Sequence, residues 1–349
     1  MDIKQTLKQL TETEGVSGYE DALRGLVTDL LSPVSDSVRR DTLGNVIAVK
    51  HGAKPAPGRI MLAGHMDEIG LIVTKLDKGF LRFTQVGGFD PRVLPGQEVI
   101  VHGREPLAGL IASRPPHVLS ASDRKKVTPM HELFIDVGIP EDRLAETASV
   151  GDLITIKRDL IELKNGFVAG KAMDDRASVA AIIATMHQLQ SLHHTWDVFA
   201  VATVQEEVGL KGATTSTYGV NPDVGIALDV TFAKQPGVND DESVALNKGS
   251  SIAFGPNIHP RLFEKLVDVA KQHEIPHQVE PIPGATGTDA WAMQVTRAGI
   301  PTALVGIPVR NMHTSVEMLA IKDVERTGRL LAHFVSTLDD NFLKSLRLE

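Results

Sequence analysis

Val198-Phe-Ala-Val-Ala-Thr-Val204, followed at once by Gln205-Glu-Glu-Val-Gly-Leu-Lys-Gly212, is an apolar strand that ends in two adjacent carboxylates. Like charges this close seldom share a strand end without a cation, so Glu206 and Glu207 pose two questions. One is which other residues hold the cation, and the other is whether one glutamate stays free to move protons. Around this strand the chain alternates between helix and strand periodicity. Helices are expected over 175–192, 260–273, 290–298 and 321–338, and strands over 198–204, 224–230, 277–280 and 302–306. That alternation predicts an α/β domain with helices packed over a largely parallel sheet.

The amino-terminal part belongs to the same domain. Ile3, Leu7 and Leu10 fall at helical spacing, and Ser17-Gly-Tyr-Glu20 has the form of a capping box ahead of Leu23, Leu26, Leu30 and Leu31. Strands are expected over 45–50, 59–63 and 69–74. From about residue 80 to residue 161 the texture changes to short β pieces broken by Gly87-Gly88, Pro95-Gly96, Pro115-Pro116 and Gly151-Asp152. Short strands with frequent turns and no helical periodicity predict a small barrel or sandwich. The expected organisation is a discontinuous catalytic domain, 1–72 and 164–349, with a β-rich domain inserted over 73–163.

Composition narrows the chemistry. At 349 residues and 42% hydrophobic, the chain can bury a substantial core. A formal charge of -8, with no long basic cluster, opposes binding to nucleic acid or anionic lipid. No run of 18 or more apolar residues occurs, and Met1-Asp-Ile-Lys-Gln-Thr-Leu-Lys lacks a signal-peptide core, so a cytoplasmic protein with no membrane partner is expected. There is no cysteine, which removes disulfides, thiolate catalysis and thiolate ligands and leaves His, Asp and Glu to bind any metal.

Five segments place acids or histidines where strands or their loops should end: His65-Met-Asp67, Met173-Asp-Asp-Arg176, Glu206-Glu207, Asp229, and His313 within Val309-Arg-Asn-Met-His-Thr314. Each alone has an ordinary reading. An Asp that opens a helix is commonly a cap, and an Asp that ends a strand is commonly a turn residue. Together they occupy the positions where open α/β sheets gather ligands, at the carboxyl ends of strands. Two imidazoles and three carboxylates, one of them bridging, satisfy two divalent metals of the zinc or cobalt type. Glu207 would then ligate, while Glu206 would take a proton from a metal-activated water and hand it to a leaving amine.

At this point the residues resemble a known family. Gly64-His-Met-Asp-Glu-Ile-Gly70, Lys171-Ala-Met-Asp-Asp-Arg176, Gln205-Glu-Glu-Val-Gly209, Ala227-Leu-Asp229, Gly287-Thr-Asp-Ala290 and Pro308-Val-Arg-Asn-Met-His313 are similar, in order and nearly end to end, to the dinuclear metallo-aminopeptidases. More narrowly they resemble the family of the tetrahedral, glutamyl and deblocking aminopeptidases, some members of which carry an endoglucanase label. The resemblance implies a zinc-exopeptidase-type catalytic domain, a mixed sheet flanked by helices, interrupted by a small β-rich barrel domain that helps subunits assemble into dimers or dodecamers.

It also implies roles. His65 and Asp229 would bind one metal and Glu207 and His313 the other, with Asp174 bridging. Glu206 would be the general base, Asp67 would orient His65 from behind, and Asp175 would support the bridge through a cis Asp174–Asp175 peptide. The implied activity is removal of the amino-terminal residue from short peptides. A deacylase or carboxypeptidase shares the metal chemistry and would need a carboxylate-binding arginine, for which Arg176 and Arg310 are the candidates. A non-catalytic, metal-stabilised peptide-binding assembly is the third reading. Asn311 stands where relatives often have an aromatic neighbour of the ligand, and Thr314 where they often have Ser. Trp196 and Trp291 are expected in the core.

Overall fold

The computed structural model describes residues 1–347. Its main sheet has eight strands in the order Ser37–Arg40, Val46–Lys50, Asp197–Thr203, Arg59–His65, Val224–Phe232, Thr302–Val309, Ser251–Phe254 and Gln278–Pro281. The four from Asp197–Thr203 to Thr302–Val309 run parallel, so their carboxyl ends open on one edge. Both flanks turn antiparallel: Val46–Lys50 against Asp197–Thr203, and Ser251–Phe254 against Thr302–Val309. The sheet is therefore mixed, as the resemblance implied, and not largely parallel, as the alternation alone suggested. One cause is local. The Asp41 carboxylate accepts from the amides of Leu43, Gly44 and Asn45, closing a turn too short to return the chain in any sense but antiparallel.

The central strands are apolar along their length because helices cover the sheet; Thr302–Val309 is buried throughout. The Met173–Gln188 helix is buried from Met173 to Met186. It packs against the Arg59–His65 and Val224–Phe232 strands and against the Ile3–Glu12 and Ile321–Ser336 helices. Gly64 permits this approach: a Cβ there would lie 2.9 Å from Ser178 Cβ and 3.2 Å from Asp175 Oδ2.

Six antiparallel strands close a barrel in the order Gly70–Asp77, Phe80–Val86, Phe134–Asp136, Pro106–Ala112, Glu98–His102 and Leu153–Ile156. It has its own core around Leu71, Leu81, Val99, Ile135 and Ile154. A small sheet of Ile161–Glu162, Phe167–Gly170 and Glu317–Ala320 joins the return from the barrel to the carboxyl-terminal part.

Two local expectations fail and one helix is unforeseen. The Asp21–Leu31 helix has no side-chain cap, because Ser17 Oγ donates to Asp67 Oδ2 at 2.5 Å and Glu20 accepts from the amides of Gly18 and Gln205. The Lys211–Val220 helix was not anticipated. Its two glycines and run of hydroxyl residues carry no apolar period, yet Ser216 bonds back to the Gly212 carbonyl at 2.7 Å and buries its own polarity. Trp196 is fully buried, whereas Trp291 is exposed.

Candidate active site

All five segments meet at the carboxyl edge of the parallel strands. His65 closes its strand, Asp229 lies near the end of the next, and Glu206-Glu207 and His313 follow the strands on either side. The register aligns Thr203 with His65 and Asp229 with Gly306, which brings the strand ends side by side. Asp174 and Asp175 open the central helix with non-helical backbone, and the peptide between them is cis. His65, Asp174, Glu206, Glu207, Asp229 and His313 line one cavity of about 390 Å³.

Asp174 is the centre of the group. Its Oδ1 lies 3.1 Å from His65 Nε2 and its Oδ2 lies 3.2 Å from His313 Nε2, so each oxygen faces a different imidazole. Glu207 Oε1 is 3.4 Å from the same His313 nitrogen, and Glu206 Oε2 is 3.9 Å from His65 Nε2. Among the described residues two groups are compact enough to hold a cation, His65 with Asp174 and Glu207, and His65 with Asp175 and Asp229. Asp175 Oδ1 is buried without a hydrogen-bond partner among the described residues. An orphaned buried carboxylate oxygen beside other acids fits a missing cation.

Asp67 acts mainly on the glutamates. Its two oxygens accept from the amides of Glu206 and Glu207, at 3.0 and 3.2 Å. The Nδ1 of His65 lies closer to Asp67's carbonyl, at 3.1 Å, than to its carboxylate, at 3.6 Å. One residue thus fixes the turn after the strand with its carboxylate and the back of an imidazole with its carbonyl.

The electrostatics are those of carboxylates crowded out of water. Burial pushes Glu206 up to about 8 and Glu207 up to about 7, and holds Asp229 and Asp175 well above the usual carboxylate range. The hydrogen bond to Asp174 carries His313 up to about 9. Burial opposes the charge on Asp174, but the hydrogen bonds from both imidazoles prevail and keep it ionised. Divalent cations would relieve this repulsion.

The model of one family, M42 glutamyl aminopeptidase, matches residues 44–330. The chain belongs to this family. It is 40% identical to the lysyl aminopeptidase of Pyrococcus furiosus over 93% of this chain and 94% of that protein. The TET aminopeptidase of a marine-sediment thaumarchaeote has a similar structure, with a TM-score of 0.94 and 34% identity over 99% of each chain. So does the TET1 peptidase of Pyrococcus horikoshii, described as assembling into a tetrahedron or a large octahedral shell, at TM-score 0.85 and 31% identity over 97% of this chain and all of that one. This M42 chain is a peptide hydrolase of the aminopeptidase class.

Around the site, Glu317 has no signature in the sequence, and several residues of the quoted motifs take places the motifs did not specify. Glu317, buried, accepts from the amide of Asp174 at 3.1 Å and from the amide of His313 at 2.8 Å. Glu68 bonds Lys171 Nζ at 2.8 and 2.6 Å and Arg176 Nη2 at 3.1 Å, all three buried behind the site. Arg176 spends its remaining donors on the carbonyls of Leu10, Thr13 and Met66. Arg310, the other candidate for binding a carboxylate, donates its Nε to the Lys234 carbonyl at 2.7 Å. Asn311 donates its amide to Gln235 Oε1 and lies outside the cavity wall. Thr288 caps the Asp289–Gln294 helix, while Asp289 accepts from Thr203 Oγ1 at 2.5 Å. From the barrel, Gly88 comes so close that a Cβ would lie 3.1 Å from His313 Nδ1.

Proposed function

We propose that the protein is a metal-dependent aminopeptidase that hydrolyses the first peptide bond of short peptides, with Glu206 as general base. The observation that supports it best is Asp174, whose two oxygens each face one imidazole in the manner of a carboxylate shared by two cations. His65 and Asp229 would hold one ion and Glu207 and His313 the other, with Asp174 between them. Two divalent ions, zinc or cobalt by donor chemistry, would supply Lewis acidity at the scissile carbonyl and make water acidic enough to ionise near neutral pH.

The chain's own groups do the rest. Asp67 fixes the backbone of both glutamates, so that Glu207 turns to His313 while Glu206 stays on the His65 side. Glu206 is then free to accept a proton at its carboxylate and return it to the leaving amine. Glu317 holds the peptide groups of Asp174 and His313 in register.

The carboxypeptidase or deacylase reading finds no support, since Arg176 is buried and Arg310 does not line the cavity. A glycosidase would work with two carboxylates and no metal, so retention of activity on chelation would favour it. Residues 73–163 would serve assembly, to a dimer or a dodecamer, in keeping with the assemblies named for the TET1 peptidase. The test is Glu206→Gln in metal-reconstituted protein. Metal content should be unchanged while hydrolysis of aminoacyl anilides falls by about 10² to 10⁴; hydrolysis at the parent rate would sink the mechanism.

A further inference from the structure

One acid in the cavity has no part in the chemistry above. Glu280, on the Gln278–Pro281 edge strand, lines the cavity but belongs to neither cation-binding group. Its Oε1 accepts from Thr231 Oγ1 at 2.6 Å and its Oε2 from Ser251 Oγ at 2.5 Å. Each oxygen is pinned by a hydroxyl, yet the carboxylate forms no ion pair among the described residues. Gly306 makes room for this arrangement, since a Cβ there would lie 2.4 Å from Ser251 Oγ and 2.9 Å from Thr231 Cγ2. Hydroxyls leave the charge uncompensated, and a half-buried carboxylate held in place prefers a cationic partner.

The position of the charge suits a side chain that starts at the reacting centre. Thr231 lies two residues beyond Asp229 on the same strand face, about 6.6 Å further along. The same cavity carries apolar wall at Ile282, Leu304 and Met312. A four-carbon stem could lie along such walls and carry its charged end to Glu280. Among the described residues no Lys or Arg lines the cavity, so an acidic side chain would find repulsion and no counter-ion.

We infer that Glu280 selects peptides whose amino-terminal residue is lysine or arginine. This rests on the aminopeptidase reading, and the test separates the two. Metal-reconstituted enzyme is assayed with Lys, Arg, Leu and Glu p-nitroanilides, which requires no variant to fold. The expected order of kcat/KM is Lys and Arg above Leu, with Glu lowest. In Glu280→Gln, which keeps the shape and removes the charge, the Lys-to-Leu ratio of kcat/KM should fall about ten- to a hundredfold, the weight of one charged hydrogen bond. Leu or Glu preferred by the parent enzyme, or an unchanged ratio in the variant, would overturn the inference and leave the aminopeptidase reading standing. Hydrolysis of no anilide would overturn both.

Discussion

Glu317 serves two amides at once, one on the shared carboxylate's residue and one on the second histidine's. Removing it leaves both peptide groups free to rotate, so the donor atoms lose their common frame without losing any donor. Outer partners of this kind typically change metal affinity by about 10- to 100-fold. Glu317→Ala should weaken zinc or cobalt binding by that factor in a calorimetric titration; unchanged affinity would reduce Glu317 to a structural acid. The sequence offers no hint of this role. His65, Asp174, Glu206, Glu207, Asp229 and His313 are legible because a strand end is a place where a carboxylate or imidazole needs a reason. Glu317 is not, because a side chain that only accepts from backbone amides can be almost any polar residue in almost any loop. Glu280 escaped for the same reason: its meaning comes from Thr231, Ser251 and Gly306, which are remote from it in the chain.

At the scale of elements, the Glu68, Lys171 and Arg176 cluster clamps the start of the central helix to the loop after His65 and to the first helix. A buried ion cluster adds little over an apolar core of the same shape, but breaking one is costly because the partners stay buried and unpaired. Arg176→Ala should therefore destabilise the fold by about 3 to 5 kcal/mol in denaturant unfolding; a loss under about 1 kcal/mol, the range of an exposed pair, would show that water reaches the cluster. Elements were legible where burial was one-sided or complete, as in the apolar strands and the amphipathic Pro260–Gln272 and Ile321–Ser336 helices. Lys211–Val220 was opaque because tertiary contacts, not propensity, decide it. The antiparallel flanks were opaque because strand direction is set by connections that leave no period in the sequence.

For the whole molecule, the site makes stability depend on pH in one direction. Without cations, Glu206, Glu207, Asp289 and Glu317 have folded pKa values of about 8, 7, 6 and 8, above their ordinary 4.5, 4.5, 3.8 and 4.5. Carboxyls raised in this way add stability that is complete below the ordinary values and is lost as pH rises through the folded ones. His313, raised from 6.5 to about 9, adds stability that is lost in the same sense. Chelated protein should melt at progressively lower temperature from pH 5 to pH 9, as followed by calorimetry. Bound zinc or cobalt, which requires the deprotonated ligands, should widen its advantage over the same range. A chelated Tm that rises with pH would show that the cluster is not as dry as the structure places it.

Gly88 against His313 gives the barrel a grip on the chemistry. The chain enters the first barrel strand only five residues after His65, and the loop after Phe80–Val86 brings Gly88 up against His313, so both histidines lie where the barrel meets the main sheet. Under the assembly proposed for residues 73–163, a contact on the barrel would lie one loop away from His313.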